Sequence, residues 1–274
     1  MPAYAFHSVN FRERLPEYAQ RLGVDEDRLR AAYEAMLADR ALVERPAGAD
    51  KTKLFVHYVD LEPVLEDPVQ RALYAALKTE LPCRIFPHGK GWGLFKERML
   101  RVWEHLYNMI INKIPIHWVR LAWLRAGGMK IGKNTSIWRN TEIVGMENIV
   151  IGDDSVVGWH SQLDGRAGLF IGDHVSIGSY VIIIAGGHDP TTEDFSSFGE
   201  PVYIDDYAWV ATRAMITNGA HLEEGAVVGL GSIVSGKTIP AYKIAAGFSA
   251  KVVGERPRNL NYQIKGNSWF NFLH

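Results

Sequence analysis

Cysteine is nearly absent: Cys83 is the only one in 274 residues. A single cysteine excludes an intrachain disulfide and a thiolate-built zinc site, and it fits a reducing compartment. Long apolar runs are missing too, and none reaches the roughly 20 residues that a membrane-crossing helix needs. The opening Met1-Pro-Ala-Tyr-Ala-Phe-His7 runs into Arg12, Glu13 and Arg14, which is not the basic start and apolar core of a secretory leader. The expected location is the cytoplasm. Charge of one sign is not in excess, because Lys and Arg number 30, Asp and Glu 31, and the formal net charge is −1. That balance predicts neither a nucleic-acid surface nor an acidic tail. No histidine pair has the helical spacing of metal ligands, and neither a G-x-S-x-G nor a P-loop signature occurs, so no metal site is expected.

What is present is a six-residue rhythm. Every sixth residue from Ile204 is aliphatic: Ile204, Val210, Ile216, Leu222, Val228 and Val234. Four positions after each stands a small residue: Ala208, Ala214, Ala220, Ala226, Ser232 and Thr238. A fixed alternation of large and small needs a short strand and a tight corner repeated without drift, which predicts a β-solenoid. Earlier hexads begin at Ile131, Ile137 and Ile143, at Ile151, Val157 and Leu163, and at Ile171, Ile177 and Ile183. Two-residue slips at Ile149-Val150 and Leu169-Phe170 separate these blocks. Glycines directly after the aliphatic position, such as Gly152 and Gly178, are expected at corners of positive φ.

Four regions follow. Residues 1–94 read as a helical or mixed extension, with helical patterns over Leu15–Leu37 and Val69–Leu81 and a strand candidate at Leu54–Val59; no catalytic motif is visible there. Residues 95–126 carry Phe95, Met99, Trp103, Leu106, Tyr107 and Ile110 at helical spacing among Lys96, Arg98 and Arg101. This linking helix is expected first as a cap over the open end of the solenoid. The second reading is peripheral contact with a membrane or a lipid-linked substrate, at the inner face of the membrane. Residues 127–254 hold the repeat, and 255–274 form a tail that caps the other end or packs on a neighbouring subunit.

The rhythm breaks on a large scale once, where Ala185-Gly-Gly-His188-Asp-Pro190 opens an insertion running to Pro201. A loop leaving a rigid scaffold is where chemistry is usually placed. A positioned imidazole can take a proton from a hydroxyl as it attacks a carbonyl, which makes His188 the candidate general base. Asp189, Asp194 and Glu200 all stand close enough in sequence to orient it. If three hexads make one coil, Ile216 to His221 stacks over Ile183 to His188, so His221 becomes a candidate beside the base. His160 and Asp164, on the preceding coil, and Asp189 are further acceptor-binding candidates.

Residues 163–253 resemble the hexapeptide-repeat acyltransferases, similar to the sugar and polysaccharide O-acetyltransferases of the maltose, galactoside and colanic-acid type. The resemblance rests on Phe170-Ile-Gly-Asp-His-Val-Ser-Ile-Gly178, Gly187-His-Asp189 with Asp194-Phe195, Ile204-Asp-Asp-Tyr-Ala-Trp-Val210, Val227-Val-Gly-Leu-Gly-Ser-Ile-Val234 and Ala245-Ala-Gly-Phe-Ser-Ala-Lys-Val-Val253. It implies a mainly β chain, a left-handed parallel β-helix, assembled as a homotrimer with coenzyme A along the coils. It implies CoA-dependent O-acetyl transfer from acetyl-CoA, or another acyl-CoA, to a hydroxyl of a sugar or glycan acceptor. Carried over by position, His188 is the base and the Thr212 backbone N–H an oxyanion donor. Trp209, Ala211, Gly229 and Leu230 line the pantetheine arm, and Lys237, Lys251 or Arg256 meets the coenzyme phosphates. N-acylation of an amino sugar or antibiotic, and a non-catalytic scaffold, are the alternatives.

Overall fold

The computed structural model describes residues 1–48 and 50–264. Its contacts divide the chain into two compact units: Arg98–Gly186 with the chain from Glu200 onward, and Met1–Glu97 with Gly187–Gly199.

The first of these is a left-handed parallel β-helix with three sheets of stacked parallel strands, one of them ending in the antiparallel strand Lys251–Glu255. The hexad positions become three columns in register. Ile131, Ile151, Ile171, Ile204, Leu222 and Ile239 stack on one face. Ile137, Val157, Ile177, Val210, Val228 and Ala245 stack on the second, and Ile143, Leu163, Ile183, Ile216 and Val234 on the third. All three columns point into one core cluster, and each fully buried aliphatic side chain contributes about 1.5–3 kcal/mol of transfer free energy. The two-residue slips do not disturb the columns, because the extra residues sit in the corners ahead of Ile149–Ile151 and Leu169–Ile171. One corner takes up the 3-10 turn Met146–Asn148, the other the turn Gly165–Gly168.

The expected role of the corner glycines is corrected. Gly152 and Gly178 do not have positive φ; the left-handed residues lie two positions further on, at Asp154 (φ 51°), His174 (56°), Tyr180 (60°) and Arg213 (61°). The glycines are required by close approach of the neighbouring coil: a Cβ on Gly178 would stand 2.6 Å from the Thr212 amide nitrogen, and one on Gly152 2.7 Å from the Gly172 carbonyl.

Two helices finish the N-terminal edge of the solenoid. They are Trp92–Met109 and His117–Ala126, labelled α4 and α5 because three helices precede them. The first coil has no strand beneath it, so side chains take the partner's place. Asn108 accepts from the Ile143 amide at 2.9 Å and donates to the Ile143 carbonyl at 2.7 Å. His117 accepts from the Ile137 amide, and Arg120 donates to the Ile137 carbonyl. Glu104 accepts from Gly145 and Met146. The edge is thereby satisfied without a further strand. Trp103 and Trp123 stack at 3.7 Å and each donates its indole N–H to the other's backbone carbonyl, which joins the two helices.

At the other end, Arg256 donates to the Tyr207 carbonyl and the Ile264 amide donates to Asp154, so this stretch runs back along a column of corners. Lys265, Trp269, Phe270 and Phe272 of the expected tail lie outside the described residues.

The second unit is an α/β layer. Strands β1 (Ala3–Val9), β2 (Leu42–Pro46) and β3 (Thr52–His57) share a five-stranded sheet with Gly186–His188 and Ser197–Gly199. β1 runs parallel to Ser197–Gly199, with Tyr4 opposite Phe198, and antiparallel to β3. Helices α1 (Leu15–Leu22), α2 (Glu26–Ala38) and α3 (Pro68–Thr79) supply Leu15, Tyr18, Leu29, Tyr33, Leu73 and Leu77 to the unit's core cluster. The single helical pattern read over 15–37 is two helices, because Gly23 takes φ 64° and ends α1. Among the described residues no helix is long and apolar enough to cross a membrane.

Candidate active site

The insertion leaves the solenoid at Ala185 and rejoins it at Glu200, whose amide donates to the Ala185 carbonyl at 3.0 Å. Between these residues Gly187–Gly199 folds as part of the N-terminal unit. Gly186–His188 is the edge strand of the five-stranded sheet, and His188 stands exposed at its end. Its Nδ1 lies 3.1 Å from the Phe195 carbonyl oxygen, and the two rings stack at 4.5 Å, 3° from parallel. A carbonyl can only accept, so Nδ1 carries a proton, and in the neutral ring it is Nε2 that keeps the lone pair. The stacked Phe195 ring sets the plane of the imidazole.

Of the three acids weighed as orienting groups, none holds Nδ1; the Phe195 carbonyl does. Asp189 accepts from the Thr191 hydroxyl at 2.6 Å and amide at 2.9 Å and is ion-paired with Arg45. The Thr191 bonds first, then the Arg45 charge, hold its carboxyl below the usual carboxylate range. Asp194 pairs with Arg40 at 2.9 Å and accepts from the Ser196 amide. Glu200 belongs to the solenoid unit.

Arg45, on β2, escaped the sequence reading. Its guanidinium contacts Asp189, donates to Ser196 Oγ at 2.8 Å and lies 4.9 Å from the Phe198 ring centroid. It therefore grips the residue after His188 and the residue after Phe195, the two ends of the hydrogen bond that orients the imidazole. With Arg45 and Asp189 separated by 144 positions in the chain, no motif or spacing could have linked them.

The remaining candidates lie in the solenoid unit. Trp209 is about half exposed on the second face, between Ser176 and Val227. The Ala211 amide is spent on the Val228 carbonyl. The Thr212 amide, above Gly178, donates to no acceptor among the described residues. Leu230 and Phe248 are strongly exposed, at 74% and 84%, in a unit that buries most of its aliphatic side chains. Gly229 donates to the Ala245 carbonyl, which keeps that corner tight. Lys251 is exposed. Lys237 donates to the Ala250 carbonyl, and Arg256 to Tyr207 and Tyr262.

His160 stacks on Tyr180 at 5.1 Å, and Asp164 is buried with Arg166 bonded to its carboxylate. The stacking expected for His221 holds for Ile183 on Ile216 and Ile184 on Thr217, then stops where the chain leaves the solenoid. His221 instead bonds Asp205 at 2.8 Å and meets the edge of Tyr203.

Over 133 residues the chain is 32% identical to WcaF of Escherichia coli (strain K12), whose name assigns it provisionally to acetyl transfer in colanic acid biosynthesis. The match spans 48% of this chain and 72% of WcaF. Over 123 residues it is 30% identical to the galactoside O-acetyltransferase of the same organism, spanning 43% of this chain and 60% of that protein. Among solved structures, a hexapeptide-repeat acetyltransferase from Vibrio cholerae superposes with a TM-score of 0.55 at 21% identity, covering 58% of this chain and 92% of the other. A galactoside acetyltransferase in complex with coenzyme A gives 0.54 at 22% identity, covering 64% and 92%. At those identities the structures bear on the fold alone. No family model matches the chain.

Proposed function

The chain belongs to the hexapeptide-repeat acetyltransferases, and from that premise we propose that it transfers the acetyl group of acetyl-CoA directly to a hydroxyl of a sugar or glycan acceptor, with His188 as general base. The observation that carries the reading is the Nδ1 bond to the Phe195 carbonyl, which leaves Nε2 as the proton acceptor. In the step we propose, Nε2 takes the acceptor hydroxyl proton as its oxygen attacks the thioester carbonyl carbon. The resulting oxyanion needs a preorganised donor, and the unspent Thr212 amide is the one we assign. Collapse of the tetrahedral intermediate breaks the C–S bond, and the imidazolium returns its proton to the departing thiolate.

For the acyl donor, the exposed Trp209 and Leu230 offer apolar contact to the pantetheine arm, and Lys251 a charge for a phosphate. Arg256 and Lys237 are weaker candidates, since each already donates inside the chain. The assembly we propose is a homotrimer.

The test is thiol release from acetyl-CoA across sugars, glycosides and amino sugars, comparing wild type with His188→Ala. Acceptor-dependent release that collapses in the variant is expected with hydroxyl acceptors. Release with amino sugars alone would move the reading to N-acylation. Absence of both release and coenzyme A binding would overturn the assignment.

A further inference from the structure

α4 has two apolar faces, and only one is used. Tyr107, Leu100 and Trp103 turn into the solenoid core cluster. Met99, Val102, Leu106 and Met109 follow one another at three and four residues along the opposite side and are exposed, Met109 by 67%. Ile110 and Trp118 extend the exposed apolar set, at 55% and 61%. A stripe of this length on an otherwise well-buried unit calls for a partner.

The charge around the stripe says which. From Arg98 to Lys133 the only acid is Glu104, and it is buried, its carboxylate taken by Arg101 and by the Gly145 and Met146 amides. The exposed charges of that segment, Arg98, Lys113, Arg125, Lys130 and Lys133, are all positive. A chain of net charge −1 thus shows only cations here. In a two-fold dimer, where the same face meets itself, a second copy would bring cation against cation with no exposed acid from this segment to pair them. An apolar stripe with an exposed tryptophan, on a segment whose exposed charges are all cations, instead matches an anionic bilayer: the methionines and leucine enter the acyl boundary while the cations meet the headgroups.

We propose that the outer face of α4, with Trp118, is a docking surface for anionic phospholipid membrane. The proposal stands apart from the chemistry assigned to His188, since vesicle binding needs neither acyl donor nor acceptor.

The test is flotation of the full chain with vesicles of phosphatidylcholine alone and with phosphatidylglycerol added. Binding to the anionic vesicles that weakens with salt is expected. Leu106→Glu with Met109→Glu should abolish it, and Arg98→Gln with Lys113→Gln should weaken it by at least about tenfold. Circular dichroism and melting of each variant should match wild type, which separates lost docking from lost folding. Three results would overturn the proposal: no binding to anionic vesicles at low salt; binding that the stripe variant retains; or a wild-type oligomer in sedimentation that the stripe variant dissociates, meaning that a second copy covers this face.

Discussion

The two units of this chain are held together by different physics. In the solenoid unit each coil's amides and carbonyls are satisfied by the next coil, and the same three columns of aliphatic side chains fill the interior from end to end. In the N-terminal unit nothing repeats. Its sheet mixes parallel and antiparallel pairs, and it closes on the inserted loop through individual side chains, Arg45 to Asp189 and Arg40 to Asp194. The regular unit is interrupted by the insertion, yet the irregular unit folds around it, so the candidate base and the scaffold are stabilised separately.

Separate stabilisation predicts that chemistry and solenoid stability respond to different residues. The largest effect on turnover belongs to His188→Ala, expected to lower kcat by about 10²–10⁴-fold, the usual worth of a general base. The urea midpoint should stay near wild type, since the ring is exposed. Ile216→Ala should do the reverse. It empties a fully buried position between Ile183 and Val234 and should cost about 3 kcal/mol in urea unfolding. If the two variants produced the same pattern, the division between the units would fail.

Acid should weaken both units. His7, in the N-terminal unit, and His117, in the cap, are each pushed down to about 4, by burial first. For His7 the Glu80 charge opposes that shift while Arg14 and Arg21 add to it; for His117 Arg120 and Arg125 add to it. Both stay neutral in the folded chain at pH 5, whereas the unfolded chain takes up their protons below about 6.5. Lowering the pH from 6.5 toward 4 therefore removes stability, up to about 3 kcal/mol per histidine, and raising it through that window restores it. Urea midpoints at pH 7 and pH 5 measure the fall. His117→Gln, whose amide oxygen can still accept from Ile137, should make it shallower, and an unchanged slope would sink the assignment to His117.

How much of this was legible in the sequence follows from the same contrast. A solenoid is encoded by local period, so Ile204, Val210 and Ile216 announced both the fold and the place of the insertion, and His188 with it. The corners were misread because glycine serves two purposes: at Gly178 the neighbouring coil leaves no room for a Cβ, while Tyr180 and Arg213 adopt positive φ with full side chains. The N-terminal unit offered helices and a strand but no hint of its role, since the register that pairs Tyr4 with Phe198 joins segments far apart in the chain.

Arg45 sharpens the comparison with the smallest and most specific effect. It touches neither His188 nor any reacting atom, so its influence passes through Asp189 and Ser196 to the bond between Nδ1 and the Phe195 carbonyl. Arg45→Ala leaves the partly exposed Asp189 side chain with its Thr191 bonds but without its countercharge, and it frees Ser196. The imidazole should then sample orientations in which Nδ1 is unbonded and Nε2 carries the proton. kcat should fall by about tenfold with KM for acetyl-CoA unchanged, because no coenzyme contact is altered. Arg45→Lys keeps the charge toward Asp189 but cannot fork to Ser196 as well, so it should recover only part of the loss. A purely structural role would instead lower the urea midpoint and leave kcat per folded molecule intact. That result would leave the candidate base to the loop's own hydrogen bonds, with no positioning role for Arg45.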